Sequence, residues 1–252
     1  MRISIITVCY NSVNTIADAL KSIQMQTYDK VEHIIIDGAS CDGTLDIIKS
    51  FGANISKLVS EEDGGIYNAM NKGFSYATGD VIGYLNSDDY YFDKNILAEV
   101  VRAFELNQCD YVYGDVEMID KSGRLVRHWI TGKISPGNMH GKQIPHPVFF
   151  IKKEFLKKLL VVFDDSYRIA ADLKQQLIII NKLKASGYYI QKPLVVMRLG
   201  GESTRSLFSY INGWIESRRA YNEVFGSGGT FFTLRKVLTK LKTIRSTHIF
   251  DW

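Results

Sequence analysis

The first third of the chain alternates short apolar runs with helical patterns, and no other feature of the sequence limits the fold as strongly. Each apolar run has the length of a buried strand, and the stretch that follows it has the apolar spacing of a helix. Such alternation is typical of βαβ units, in which helices cover a mostly parallel sheet. The sequence therefore predicts an α/β fold, with strands at 3–8, 32–37, 56–60 and 81–85 and helices at 15–24, 44–50 and 66–76.

The remainder of the chain predicts additions to this sheet. In chain order we expect a helix at 96–105, a hairpin at 110–130, a long loop at 131–147, helices at 153–160 and 172–184, and strands within 188–199. A loop as long as the one in this series is uncommon unless it acts as a lid or a binding element. We expect one domain over residues 1–205, followed by a helical extension over 206–252.

Composition narrows the class of protein. The 252 residues are 46% hydrophobic, which is enough to bury a full core. No apolar run approaches the roughly 18 residues of a membrane span, so a cytoplasmic protein is expected. Three scattered cysteines favour neither a disulfide framework nor a zinc site. A formal charge of +4 does not indicate a nucleic-acid-binding surface.

Polar residues follow three of the four predicted strands, at Asp37, at 61–63 and at 86–89. Ligands of such sheets bind beyond the carboxyl ends of the strands, so these residues are the first candidates for a site. The loop at 7–11 leads into a helix that we expect Asn14 to cap, and helix starts favour anions such as nucleotide phosphates. Neither a G-x-G-x-x-G nor a P-loop motif is present, which argues against a nicotinamide dehydrogenase and a P-loop NTPase.

Two of these strand ends suggest specific chemistry. Asp37 closes a buried strand beside glycines that allow a flat ring to approach, so we assign it to the nucleotide base. Asp42 and Thr44, further along the same loop, are assigned to a turn and a helix cap. Asp88 and Asp89 repel each other unless a cation lies between them, and oxygen ligands suit Mg²⁺ or Mn²⁺. A capped turn explains the same pair, and the residues alone leave both interpretations open.

Four segments in this order and spacing resemble family 2 glycosyltransferases: 4–11, 36–44, 62–73 and 85–89. The resemblance continues more loosely through 145–150, 170–173 and 200–203, and it does not extend beyond residue 205. It implies a GT-A fold, a nucleotide diphosphate sugar donor, with a UDP-sugar expected, and an inverting displacement.

By position, the resemblance places Asp37 on the nucleobase, Asp88 on ribose or metal, Asp89 on the metal and Asp172 as the general base. Where many members have the first carboxylate of D-x-D-D, this chain has Asn86, so its site carries less negative charge. On the residues alone, Asp172 also fits an acid that favours a helix N-terminus. Further candidates are Thr7, Tyr10 and Asn11 at the nucleotide, Asp63 with Gly64 and Gly65 at the donor sugar, and His146 in the donor or acceptor pocket.

The resulting hypothesis is sugar transfer to a hydroxyl of a glycan, lipid-linked in bacterial surface polysaccharide synthesis. A sugar nucleotidyltransferase and a nucleotide-sugar-binding module without turnover are the alternatives. The C-terminal extension carries an apolar helical stripe with basic flanks. It either lies in the headgroups of an anionic membrane at the inner face of the plasma membrane, or packs on the domain. The stripe consists of Leu234, Val237, Leu238, Leu241 and Ile244.

Overall fold

The computed structural model describes residues 1–137, 139, 141–200 and 207–247. Within these ranges, the side chains of 53, 207 and 239–247 are not described. The segment at 200–203 that continues the family resemblance therefore lies outside the described residues, apart from Gly200. The side chains of Leu241 and Ile244, at the end of the predicted apolar stripe, lie outside them as well.

Strands of the described chain form one sheet in the order β3-β2-β1-β4-β8-β6-β9-β5, with β7 paired to β6. Their bounds are β1 Ile3–Cys9, β2 Val31–Asp37, β3 Lys57–Ser60, β4 Val81–Tyr84, β5 Tyr90–Tyr91, β6 Tyr111–Ile119, β7 Leu125–Trp129, β8 Phe149–Lys152 and β9 Gly187–Arg198. All seven residues of β1 are buried, because helices cover both faces of this central strand.

The sheet changes character between its two halves. Strands β1 to β4 are parallel to one another, as predicted. Strand β8 follows a long loop rather than a crossover helix, and it runs antiparallel to both β4 and β6. The predicted hairpin is confirmed, since β6 and β7 are antiparallel, although β6 also pairs with β9 in parallel. The second half of the sheet is therefore mixed.

Helices flank the sheet and follow the apolar spacing of the sequence. Their bounds are α1 Ile16–Gln24, α2 Thr44–Ser50, α3 Ile66–Tyr76, α4 Ile96–Asn107, α5 Lys153–Leu156, α6 Ala171–Gln176, α7 Leu207–Phe225 and α8 Gly229–Thr247. A π-helical segment at Leu177–Lys182 continues α6. Helix α3 packs close to β1: a Cβ at Gly73 would overlap Cγ2 of Ile6, so the approach requires glycine at this position.

Three local predictions are wrong. The strands expected within 188–199 are one continuous strand, β9. Asn14 does not cap α1, since the N-cap is Thr15 and the backbone N–H of Ile16 donates to the carbonyl of Ser12 instead. Helix α5 ends at Leu156 rather than near residue 160. Leu156 is buried in the core but Leu160 is fully exposed, so the apolar spacing of the sequence continues beyond the end of the helix.

The C-terminal helices return to the main fold. Phe232 of α8 is buried and stacks on Tyr221 of α7 with ring centroids 4.8 Å apart. Ala220 and Val224 of α7 are buried as well. No helix in the described part of the chain has the length and apolar character needed to cross a membrane.

Candidate active site

A cleft of about 1830 Å³ lies at the carboxyl ends of β1 and β4, where ligands of parallel sheets bind. Loops from the sheet line it together with β7, the loop before β8, the entry to α6 and the two C-terminal helices. Most of the predicted site residues line this cleft, namely Tyr10, Asn11, Asp63, Gly64, Gly65, Asp88, Asp89, His146 and Asp172. Thr7 and Asp37 are instead fully buried.

The carboxylate of Asp37 is satisfied by the protein itself. It accepts hydrogen bonds from the backbone N–H of Ser40 at 3.0 Å, from the Ser40 hydroxyl at 2.5 Å and from the Ser60 hydroxyl at 2.7 Å. These bonds hold a turn in which Ala39 has a φ of 59°, a conformation that is uncommon for residues with a side chain. Asp37 therefore shapes the loop beside the cleft.

Gly38 marks the place where this loop meets the cleft. A Cβ at Gly38 would lie 2.8 Å from Oδ2 of Asp63 and 3.4 Å from the ring of Tyr10. Asp63 also accepts the backbone N–H of Gly65 at 2.8 Å, and the ring of Tyr10 is 66% exposed. A flat group can therefore approach an open ring and a carboxylate without meeting a side chain at residue 38.

The loop after β1 is tied to the loop after β2. Asn11 has a left-handed φ of 48°, and its Oδ1 accepts the backbone N–H of Cys41 at 3.1 Å. Below it, Thr7 is hydrogen-bonded to Nε2 of His33 at 3.0 Å. Burial lowers the pKa of His33 to about 4, so this ring is neutral near pH 7. Asn11 and Thr7 thus fix the floor of the cleft.

Asp88 and Asp89 follow β4. Asp89 is only 1% exposed, and its pKa is raised well above the ordinary value, first by burial and then by the neighbouring charge of Asp88. Burial also raises the pKa of Asp88. Such a pair is stabilised by a cation, which relieves the repulsion between the two carboxylates.

The donor atoms around this pair suit a hard cation. The side-chain amide of Asn86 donates to Oδ2 of Asp89 at 3.2 Å, while its Oδ1 is buried with no hydrogen-bond partner among the described residues. In that same part of the chain, no three His, Cys, Asp or Glu side chains cluster as a metal site. Two carboxylates and one free amide oxygen are oxygen donors, which Mg²⁺ and Mn²⁺ prefer, and they leave positions for oxygens of a ligand.

Asp172 lines the same cleft, in the first turn of α6. Its Oδ2 accepts a hydrogen bond from the Gln143 side chain at 2.7 Å, and its Oδ1 accepts the backbone N–H of Leu173 at 2.8 Å. Burial raises the pKa of this carboxyl, and the positive charge of Lys236 opposes that shift. A raised pKa makes a carboxylate a stronger base at neutral pH.

His146 packs among aromatic rings. Its ring centroid is 5.1 Å from that of Tyr84 and 5.6 Å from that of Phe163, which meets it edge-on. Burial lowers the pKa of His146 to about 4, so the imidazole is neutral near pH 7. It contributes shape and a neutral ring to the wall of the cleft.

Sequence reasoning did not select the aromatic wall of the cleft. Trp129 from β7 and Tyr210 and Trp214 from α7 line it, and the guanidinium of Arg127 lies 5.1 Å from the Trp129 ring. Glu216 and Lys236 line the same wall. The spacing of Tyr210 and Trp214 by four residues was an available signal, because it places two rings on one helical face.

The sequence profile described as Glycosyl transferase family 2 matches residues 4–170. The chain belongs to glycosyl transferase family 2. The match includes the loops that carry Tyr10, Asp63 and Asp89, and it ends two residues before Asp172.

Curated relatives of this family 2 chain match over shorter stretches. A PGL/p-HBAD biosynthesis glycosyltransferase of Mycobacterium bovis is 37% identical over 119 residues, which cover 46% of this chain and 46% of the relative. An uncharacterized glycosyltransferase of Mycobacterium tuberculosis is 34% identical over 102 residues, which cover 40% of this chain and 39% of the relative. The chain thus spans less than half of the length of either relative.

Solved structures place this family 2 chain among GT-A-like glycosyltransferase folds. The S. aureus TarS structure in complex with UDP-GlcNAc matches with a TM-score of 0.71 at 20% identity, over 87% of this chain and 65% of TarS. The mannosyltransferase PcManGT from Pyrobaculum calidifontis, in complex with GDP-Man and Mn²⁺, matches with a TM-score of 0.66 at 18% identity, over 98% of this chain and 73% of PcManGT. The predicted fold class is confirmed.

Proposed function

We propose that this protein is an inverting glycosyltransferase that moves a sugar from a nucleoside diphosphate donor to a hydroxyl of a glycan. One observation carries the proposal: a single cleft holds both the Asp88–Asp89 pair and the separate carboxylate of Asp172. Glycosyl transfer needs both functions, since the leaving diphosphate must be neutralised and the incoming hydroxyl must lose its proton.

The donor nucleotide occupies the sheet side of the cleft in this proposal. Tyr10 and Asp63 contact the base and ribose beside Gly38, and Gly64 and Gly65 let the backbone approach the donor. Asp37 acts indirectly, by holding the loop that carries Gly38. A UDP-sugar is our choice of donor, supported by a structural neighbour that was solved with UDP-GlcNAc.

Asp88, Asp89 and Asn86 would hold a divalent cation, Mg²⁺ or Mn²⁺. When bound, such an ion supplies positive charge to the diphosphate and stabilises it as a leaving group. Support comes from the oxygen donors of these three residues and from a neighbour that was solved with Mn²⁺. Because Asn86 is neutral, we expect the cation to bind mainly together with the donor.

Asp172 accepts the proton of the acceptor hydroxyl. The hydroxyl oxygen then forms a bond to the anomeric carbon while the bond from that carbon to the diphosphate oxygen breaks. The oxygen attacks from the face opposite the leaving group, so the configuration at the carbon inverts. Burial of Asp172 favours this role, because its raised pKa makes the carboxylate a better proton acceptor.

The acceptor in this proposal is a glycan that stacks on Trp129, Tyr210 and Trp214, since aromatic rings offer flat apolar faces next to polar groups. Residues 206–252 then act as an extension that completes the acceptor side of the domain formed by residues 1–205. His146 shapes the pocket between the donor and acceptor sides.

The outer faces of α7 and α8 support attachment to an anionic membrane. Six apolar side chains are exposed there, and the guanidinium of Arg235 lies 4.9 Å from the Phe231 ring. Since the inward side of α8 packs on the fold, the exposed part of the stripe is free to meet lipid headgroups. We therefore propose a peripheral protein at the cytoplasmic face of the membrane, which acts on a lipid-linked acceptor. The six side chains are Phe208, Ile211, Ile215, Phe231, Leu234 and Leu238.

Donor turnover tests the proposed activity. A panel of nucleotide sugars is incubated with the protein, with Mn²⁺ or with EDTA, and release of the nucleoside diphosphate is measured with and without glycan acceptors. We expect cation-dependent release from one donor and acceleration by an acceptor. Donor binding without release under every condition would support a binding module, and release of pyrophosphate from a sugar phosphate and a nucleoside triphosphate would support a nucleotidyltransferase.

A further inference from the structure

Glu216 of α7 holds the segment that leads into Asp172. Its Oε1 accepts the backbone N–H of Arg168 at 2.9 Å, and its Oε2 accepts those of Ile169 at 2.8 Å and Ala170 at 2.9 Å. Hydrogen bonds to a charged acceptor are stronger than neutral ones, and three of them meet on one carboxylate here. The backbone immediately before Asp172 is therefore fixed by a residue that lies outside the stretch matched by the family profile.

The same segment is anchored from the other side of the cleft. The hydroxyl of Tyr67 in α3 donates to the carbonyl of Ile169 at 2.7 Å. The ring of Tyr67 stacks on Phe163 with centroids 5.5 Å apart. Ile169 is thus held between α3 and α7, and the position of Asp172 depends on both helices.

Lys236 of α8 reaches the same wall of the cleft. Its ammonium donates to the hydroxyl of Ser217 at 3.0 Å, and that hydroxyl donates to the carbonyl of Gly213 at 2.6 Å. Ser217 is fully buried, so this chain of hydrogen bonds fixes Lys236 against α7.

The backbone of α8 also presses on the loop that contacts Asp172. A Cβ at Gly141 would lie 2.6 Å from the backbone nitrogen of Lys236, so only glycine allows this approach. Two residues later, Gln143 donates to Oδ2 of Asp172. Helix α8 therefore supports Asp172 through the loop and also brings a cation to its wall of the cleft.

We propose that Glu216 and Lys236 are positioning residues for Asp172, so that the C-terminal helix pair completes the proton-accepting site. This inference rests on the proposed role of Asp172 as the base. Glu216 sets the position of the carboxylate through the backbone at 168–170, and Lys236 sets its charge state.

The groups that face Asp172 are consistent with a positional role for Glu216 and a charge role for Lys236. Tyr67 faces it from α3, Gln143 from the loop before β8, Lys236 from α8, and Glu216 lies behind the 168–170 segment on α7. Burial raises the pKa of Tyr67 well above its ordinary value and the charge of Asp172 raises it further, so this hydroxyl stays protonated. Gln143 is neutral, and Lys236 supplies the positive charge that lowers the pKa of Asp172.

The charge role is tested by replacing Lys236 and titrating Asp172 in the full chain. The side-chain carboxyl carbons of aspartate are labelled with ¹³C, and the Asp172 signal is assigned by its loss in Asp172→Asn. In Lys236→Met, the pKa of Asp172 rises, and the acid limb of the pH profile of kcat moves to higher pH. Lys236→Arg restores both, and Arg218→Met, which removes an exposed charge from α7, changes neither. An unchanged Asp172 titration in Lys236→Met overturns the charge role.

The positional role is tested by Glu216→Gln, which replaces one acceptor oxygen with an amide that faces backbone N–H donors. We expect kcat to fall by about 100-fold, the usual scale for a displaced catalytic group, with donor affinity unchanged. The matched control is Glu223→Gln on the same helix, because Glu223 binds Lys174, Tyr167 and Arg219 instead of the 168–170 backbone. That variant should lose thermal stability while its folded fraction keeps the wild-type kcat.

These outcomes separate the inference from the proposed function. If Asp172→Asn retains wild-type turnover, Asp172 is not the base, and both fail. If Asp172→Asn is inactive while Glu216→Gln and Lys236→Met keep wild-type kcat and pH profile, the inference alone is overturned. If no donor supports turnover, the proposed function fails, and the ¹³C titration still decides whether Lys236 sets the charge state of Asp172.

Discussion

The donor side and the acceptor side of the cleft are built in different ways. On the donor side, Tyr10, Asp63 and Asp89 stand on loops that directly follow β1, β3 and β4, so sheet topology alone brings them together. On the acceptor side, a hairpin, a long loop and two C-terminal helices meet through tertiary packing. The family profile covers all of the first side, but on the second it ends before α6 and the two C-terminal helices, which is where we expect acceptor specificity to lie.

The largest expected effect is on the donor side. Asp89→Ala removes a buried oxygen ligand of the proposed cation, so transfer and cation-dependent donor binding should both be lost, which titration calorimetry with Mn²⁺ and donor will show. Asp29→Ala serves as the control, because it removes an exposed carboxylate that is distant in sequence from the end of β4. Near wild-type turnover in Asp89→Ala would break the division of the cleft into a donor and an acceptor side.

The next effect concerns the outer face of the C-terminal helices. Leu234→Asp combined with Leu238→Asp replaces two exposed apolar side chains of α8 and should weaken sedimentation with anionic liposomes by at least about tenfold. Donor hydrolysis should not change, since neither residue lines the described part of the cleft. Leu106→Asp, on the equally exposed surface of α4, is the control. If the wild-type protein ignores liposomes at low salt, the membrane proposal is wrong.

A smaller effect is expected at the aromatic wall. Trp214→Ala removes a stacking face and should raise the KM for the acceptor roughly three- to tenfold, with the donor dissociation constant unchanged. Phe208→Ala removes an exposed ring from the same helix, outside the cleft lining, and should leave both constants alone. A change in donor affinity in Trp214→Ala would show that this ring contacts the donor and does not belong to the acceptor side.

The smallest effect is a stability change at acidic pH. The pKa of Asp89 is raised in the folded protein, so the folded state binds more protons than the unfolded state above the ordinary aspartate pKa of 3.8. Stability of the cation-free protein should therefore fall as the pH rises from that value through the raised pKa. Asp89→Asn should remove part of this slope in thermal unfolding, and an identical slope in both proteins would contradict the raised pKa of Asp89.

Much of the donor side was predictable because its determinants are local. The bounds of α2 and α3 match those expected from apolar spacing, and the strand-end carboxylates Asp63, Asp88 and Asp89 line one cleft. Asp37 shows the limit of this reasoning. Its place at a strand end suggested contact with a ligand, which stays a prediction, whereas the serines that donate hydrogen bonds to it could not be derived from strand patterns.

The acceptor side was less predictable because its contacts join residues far apart in sequence. Glu216 holds the backbone at 168–170, and α8 presses on Gly141 more than ninety residues away. The apolar stripe of α8 does not coincide with the buried face of the helix. Phe232, which is not part of the stripe, is buried, whereas Leu234 and Leu238 of the stripe are exposed. Which face of an amphipathic helix packs on the fold depends on the surface it meets, and the sequence of the helix does not contain that information.

The central claim, that separate groups of one cleft bind the donor and remove the proton, is tested most directly by Asp172→Asn. Donor affinity is measured by calorimetry and transfer by product formation, both in the presence of Mn²⁺. The account predicts wild-type donor affinity together with a loss of transfer of at least ~100-fold, the usual scale for removal of a general base. Equal loss of both, or retention of both, would contradict it.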